Sequence, residues 1–274
     1  MRKIASFFAL ISLLVFGSVQ ASDDIVSAYL VGKHMSVSDT SKALTSNGFK
    51  VLTEYKVGKK GKFTSIVFTS SDLAADATKP NRGFAAILRV LVDDERSLIS
   101  VTNPRYFMKA FLQDDYNEKS VKATTDALKA AFGELSTSSD EGIAFDKLSD
   151  YHFMLAMPYY EDMEVVGKGK CTELVEKAKK YKGGKGLLFD MKLADDKYLV
   201  GYKLGNRTSK FPKKIGTQNS QVLPYVVLIE KGEAKILAPK YYLAIAYPLL
   251  TMSEFMKIAT IPDAINKDLK KVFK

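Results

Sequence analysis

Few residues in this chain combine reactive chemistry with useful spacing. His152, Met154, Met157 and Met163 form the softest donor set, an imidazole with thioethers of the kind that suits Cu(I). Read as a strand, the segment sets Met157 on the face opposite His152 and Met154, and methionine in a core strand needs no metal to explain it. No metal or other cofactor is therefore assigned. The adjacent carboxylates Asp93-Asp94 and Asp195-Asp196 each fall where a hairpin should turn. Acid–base catalysis needs facing carboxylates in a shielded cleft, not neighbours in a turn. The lone cysteine, Cys171, stands beside Lys170 at an expected helix start, where a thiolate is favoured; the competing reading is a small, partly buried hydrophobe.

Several established chemistries are missing from the sequence. There is no G-x-S-x-G elbow, P-loop, H-E-x-x-H or C-x-x-C pair, and two histidines cannot build a histidine-rich metal site within one chain. The chain reads as non-catalytic, binding a small ligand or a protein partner. The alternative is an enzyme whose site is assembled only by folding, with Tyr159, Tyr160 or Tyr202 as an acid.

Material for binding is richer. Two long polar stretches, Ser70 to Arg82 and Gly205 to Gln221, read as loops, and loops of that length in compact domains tend to be functional or mobile. The first carries Asn81 and Arg82. The second carries Arg207, Lys210, Lys213, Lys214, Gln218 and Asn219. Together these side chains would line a cationic, hydrogen-bonding site for an anion. Asn206-Arg207-Thr208 also spells a glycosylation acceptor, relevant in a host that glycosylates.

The elements that must position these residues come in two matching sets. Val101-Thr102-Asn103-Pro104-Arg105-Tyr106-Phe107 returns later as Ile236-Leu237-Ala238-Pro239-Lys240-Tyr241-Tyr242. Each is an apolar strand end, a proline suited to the first helical turn, a basic residue and two aromatics. Both halves read in the same order: strand, helix, hairpin, long polar loop, hairpin, proline, two helices. In the first half a strand is expected over 28–35, a helix opened by Ser36, and a hairpin of 49–55 with 63–69. A second hairpin of 84–92 with 97–102 follows, then helices from Pro104 and over 118–132. In the second half strands are expected over 153–157 and 163–167, then a helix over 170–182 and a hairpin of 187–193 with 198–204. Strands at 225–230 and 234–237, a helix from Pro239, one capped by Ser253 and a last one after Pro262 complete it. The closing helices echo each other too, since Leu128, Lys129 and Phe132 recur as Leu269, Lys270 and Phe273.

The fold class is therefore α+β, two similar units, each an antiparallel sheet with helices packed on it. The domain reading is a signal peptide over 1–21, a first unit over 22–135, a serine-rich acidic linker over 136–150 and a second unit over 151–274. The leader rests on basic Arg2 and Lys3, apolar Ile4 to Phe16 and the small-residue cut Val19-Gln20-Ala21, which predicts a periplasmic or secreted protein. No later apolar run is long enough to span a bilayer. The formal net charge is +10. For an exported chain that favours acidic proteins or polymers and contact with an anionic membrane surface, and nucleic acid is not expected as a partner.

Leu223-Pro224-Tyr225-Val226-Val227-Leu228-Ile229, followed by a turn, a returning strand and Pro-x-Tyr, resembles the bacterial family of domain of unknown function 302. The resemblance covers mainly Cys171 to Leu250, and more faintly Ser36 to Leu112, where Gly83-Phe84 stands in place of Leu-Pro. It implies a compact α+β unit with an antiparallel sheet, and it carries no activity, cofactor or catalytic residue.

Overall fold

Pattern and capping set the element boundaries. A computed structural model describes residues 24–58, 61–140 and 142–274; the expected leader lies outside them. The chain opens with β1 (Ile25–Val26) and β2 (Tyr29–Lys33), and then α1 (Val37–Ser46), where the Ser36 hydroxyl accepts from the Asp39 N–H at 3.1 Å. β3 (Lys50–Val57) and β4 (Phe63–Thr69) form the expected hairpin. The polar stretch after it is not a plain loop. Ser70 caps a short helix, α2 (Ser71–Asp76), which buries Leu73, and Gly83–Ala86 winds as a buried 3-10 turn. That turn delays β5 to Leu88–Asp93, which pairs with β6 (Leu98–Thr102).

Asn103 caps α3 (Pro104–Leu112), with Pro104 in its first turn, and α4 (Glu118–Phe132) follows, capped by Asn117. Gly133 ends α4 at a φ of 75°, a conformation that side-chain-bearing residues rarely adopt.

The segment 136–150 is not a free connector. β7 (Ser136–Thr137) adds to β2 as an edge strand, and β8 (Ile143–Ala144) pairs with β1. Asp140 accepts the Ala28 N–H at 2.8 Å, and Leu148 is fully buried. These contacts tie the segment to the first half. Nor does 153–157 form a strand: it runs as a bend and a turn, with Leu155 exposed.

The second half is β9 (Glu164–Lys168), α5 (Cys171–Lys180), β10 (Leu187–Ala194) and β11 (Lys197–Tyr202). The second polar stretch also folds: α6 (Pro212–Ile215) is flanked by 3-10 turns, and Phe211, Ile215, Ser220 and Gln221 are buried. β12 (Tyr225–Glu230), β13 (Glu233–Ile236), α7 (Pro239–Ala246), α8 (Met252–Lys257) and α9 (Ile261–Lys270) close the chain. The cap of α8 is Thr251 rather than Ser253. Its hydroxyl accepts from the Glu254 N–H, and Glu254 reaches back to the Thr251 N–H, a reciprocal box that a serine one residue inside the helix cannot make.

The molecule is α+β, with antiparallel sheets. One runs β3-β4-β5-β6-β2-β7 and another β10-β11-β12-β13-β9, while β1 and β8 make a small third. β5 and β12 are buried along their whole length, so both faces of each must be covered. Part of that cover crosses between halves. The Gly83–Ala86 turn packs on β11 and β12, and the Ser220–Val222 turn packs on β4 and β5. The turns that close the two polar stretches thus supply inter-half packing.

Seven buried tyrosines line the join, and each hydroxyl donates to a main-chain carbonyl: Tyr29 to Ala246, Tyr106 to Ile245, Tyr160 to Asn81, Tyr225 to Leu237, Tyr241 to Ala110, Tyr242 to Val222 and Tyr247 to Gly216. A buried tyrosine adds large apolar area while its hydroxyl satisfies a carbonyl that water cannot reach.

Candidate functional site

Between the halves lies a cavity of about 370 Å³. Tyr29 and Tyr247 form part of its lining, and Pro248, Leu249 and Leu250 its apolar lip. The polar wall begins with Asp93 at the end of β5, which is fully buried. Its carboxylate accepts the Glu95 and Arg96 N–H groups, at 3.0 and 2.9 Å, and the Arg96 guanidinium at 2.7 Å. The turn chemistry expected of Asp93 is therefore present, but in a buried setting. Arg96 also donates to the Thr217 hydroxyl at 3.0 Å, joining the halves across the rim.

Ser100 on β6 accepts from Gln221 at 3.1 Å, and Asn219 donates to the Ala246 carbonyl at 3.0 Å. Asp140 lies on the same wall. One of its oxygens holds the Ala28 N–H; the other, Oδ1, is buried without a partner, as is the Ser138 hydroxyl beside it. Burial raises the Asp140 carboxyl above its ordinary value, against the pull of the Ala28 N–H. Asp93, Asp140 and Glu254 face Arg96 alone among the charged lining groups, so the cavity carries the opposite sign to the chain as a whole. Its chemistry is that of hydrogen bonding and apolar contact.

A second polar cluster stands on β11, β12 and β13. Glu230, almost fully buried, meets Lys197 at 3.1 Å and Lys235 at 3.2 Å, and accepts the Asn81 N–H at 2.9 Å. Burial works to raise the Glu230 carboxyl, but Lys197, the Asn81 N–H and Lys235 outweigh it and hold the group below the usual carboxylate range. Tyr160 covers the cluster by donating to the Asn81 carbonyl at 2.6 Å.

The eight residues expected to make an anion site are distributed over several places. Gln218 and Asn219 line the cavity. Asn81 belongs to the Glu230 cluster, and Arg82 is spent on Asp115 at 3.0 Å and Glu161 at 2.6 Å. Lys214 donates to the Lys257 carbonyl, and the Lys213 stem lies by Gly58. Arg207 lines a separate recess with Thr208 and Asp268, and Lys210 sits in the 3-10 turn before α6. Cys171 is buried, its sulfur accepting the Gly232 N–H at 3.4 Å. His152 bonds the Met154 carbonyl at 2.8 Å and lies against Tyr159. Among the described residues no group of three His, Cys, Asp or Glu could hold a metal ion.

Sequence reasoning missed Asp93, Ser100 and Asp140 as lining residues. The Asp93-Asp94 turn was a signal, but nothing local says which carboxylate turns inward. Against family models, curated proteins and solved structures alike, the chain finds no match.

Proposed function

We propose that this chain is an exported binding protein, built from two diverged copies of one α+β unit, that holds a small non-anionic molecule between them. The observation that carries the ligand reading is the shared cavity, with side chains from both halves and buried oxygens left without partners. Sites of this kind form preferentially where domains meet, and an unpaired buried acceptor is favourable only when something donates to it. The surplus of carboxylates over the one arginine disfavours an anion there.

Duplication is supported by the strand orders. β3-β4-β5-β6-β2 and β10-β11-β12-β13-β9 are the same path through two sheets. That path, with a helix after the first strand and a proline-opened helix after the last, also suits the resemblance to domain of unknown function 302. Export rests on the leader pattern of Arg2 and Lys3, the apolar run to Phe16 and the cut after Ala21.

Native mass spectrometry on the chain recovered gently from its own host tests the reading. The expected spectrum is a chain beginning at Ser22 and carrying one discrete small mass. A bare chain would overturn the ligand reading, and a retained Met1 would overturn export.

A further inference from the structure

The C-terminal half has a second recess, away from the cavity between the halves. It forms where β10 begins and β11 ends, the Lys203 N–H donating to the Gly186 carbonyl at 2.8 Å. The Tyr202 ring lies over Gly186 so closely that a Cβ there would stand 2.6 Å from the tyrosine oxygen. Glycine is required at that point because the ring occupies the side-chain space. Tyr202 is 3% exposed, and its hydroxyl is buried with no hydrogen-bond partner. Burial pushes the phenol up to about 12, so the group is a proton donor at neutral pH.

The recess beside it has a volume of about 270 Å³. Lys182, Lys185, Lys203 and Lys271 line it against a single carboxylate, Asp268. Asp268 is already engaged by the Gly205 N–H, the Thr208 hydroxyl and, at 3.6 Å, Lys271. Among the described residues no carboxylate pairs with Lys182, Lys185 or Lys203. The adjoining recess adds Arg207 and Lys267, with Asp263 as a further carboxylate.

The first half provides an internal comparison. Tyr202 pairs with Tyr225, the first residue of β12, and Phe68 pairs with Leu88, the first residue of β5. Phe68 therefore holds the corresponding strand position, packed on Phe49 at 5.0 Å between ring centres, and Thr69 follows it where Lys203 follows Tyr202. At the two matching positions the first sheet carries a ring without a hydroxyl and a threonine in place of the lysine. The fold does not need the phenol or the ammonium there.

We propose that the Tyr202 recess binds a phosphate group, with the Tyr202 hydroxyl donating to one oxygen and Lys185, Lys203 and Lys271 supplying the charge. Ammonium groups act there as point charges and the phenol as the directional donor. A soluble phosphate ester and an anionic phospholipid headgroup share this chemistry.

Titration calorimetry with glycerol 3-phosphate, and sedimentation with phosphatidylglycerol vesicles against phosphatidylcholine ones, tests the proposal on the full chain. Binding of either phosphate probe should weaken as salt rises. Tyr202→Phe should reduce it about tenfold or more, the loss of one hydrogen bond to a charged group, and Lys185→Ala with Lys203→Ala should reduce it further. The Tyr202→Phe chain should fold normally, since the first half carries Phe68. Glycerol phosphate bound in solution and lost in the variants identifies a phosphate-ester site. Binding seen only on phosphatidylglycerol, and lost in the variants, identifies a headgroup site. Failure to bind either probe, or binding that the variants leave unchanged, overturns the proposal.

Discussion

Tyr106 donates its hydroxyl to the Ile245 carbonyl at 2.9 Å, and Tyr241 donates its own to the Ala110 carbonyl at 3.5 Å. Tyr106 and Tyr241 are the matching aromatics of the repeated proline motif, and Ala110 and Ile245 are separated by the same interval. The two helices therefore grip each other reciprocally, residue i to j and j to i, the relation found at a two-fold interface between identical chains. The two bonds are not equal, however. The Ala110 carbonyl also accepts from Gln113, whereas Ile245 lies in the last turn of α7, where carbonyls lack intrahelical donors. Tyr106→Phe should destabilise the fold by about 1–2 kcal/mol, and Tyr241→Phe by less than half of that. Urea unfolding of both variants measures the difference, and a larger loss at Tyr241 would contradict the reciprocal grip as described.

How far the sequence reached follows from the kind of signal each element carries. The bounds of α4 and β12 are legible because Asn117 and Gly133 bracket an apolar stripe, and Pro224 and Gly232 bracket a β-branched run. α2 and α6 are hidden because their surroundings are polar in composition. They fold because Leu73, Phe211 and Ile215 find cover that only the tertiary structure supplies. The 153–157 run is apolar at every position and reads as strand, yet it pairs with no other strand among the described residues. For the cavity, Gln218 and Asn219 were visible in the second polar stretch. Asp93, Ser100, Asp140 and Tyr247 join them only through sheet register and the docking of 136–140 on β2. Local pattern does not encode that convergence.

Glu230 offers a test of the buried ion pairs. Its folded-state carboxyl is held below the unfolded value, so its contribution to stability is present above about pH 4.5, the ordinary glutamate range, and is lost as pH falls through the folded value. Glu230→Gln leaves Lys197 buried without a counter-charge, and burial already draws that ammonium below the ordinary lysine value. The variant should lose about 3 kcal/mol at pH 7, with the gap from the parent chain shrinking in acid. Unfolding curves at pH 7 and pH 3 that differ equally would rule this out.

Asp140 should behave in the opposite sense. Burial raises its carboxyl, so the folded chain holds the proton more tightly than the unfolded one. Its favourable contribution is present in acid and is lost as pH rises through the raised value. Asp140→Asn keeps an oxygen for the Ala28 N–H and removes a charge from a desolvated place. Melting temperature should rise slightly at pH 7 and match the parent chain near pH 3. A drop at pH 7 would mean that the charge is compensated by a partner in the folded protein.

The interlock of the two halves is open to a double-mutant cycle at Gly83 and Leu228. Gly83 lies in the buried turn before β5, and Leu228 is fully buried on β12. A Cβ on Gly83 would stand 2.3 Å from one Leu228 methyl carbon and 3.2 Å from the other. The backbone at Gly83 is not left-handed, so alanine strains nothing locally and its whole effect runs through that contact. Gly83→Ala should destabilise by about 1–3 kcal/mol, because a packed leucine must shift. Leu228→Ala should destabilise by about 2–5 kcal/mol through the space it leaves. In the double variant the new methyl enters that space, so the combined loss should fall short of the sum by about 1 kcal/mol or more, a coupling that only neighbours show. Additive losses in denaturant unfolding would mean that the turn of one half does not bear on the sheet of the other at this point.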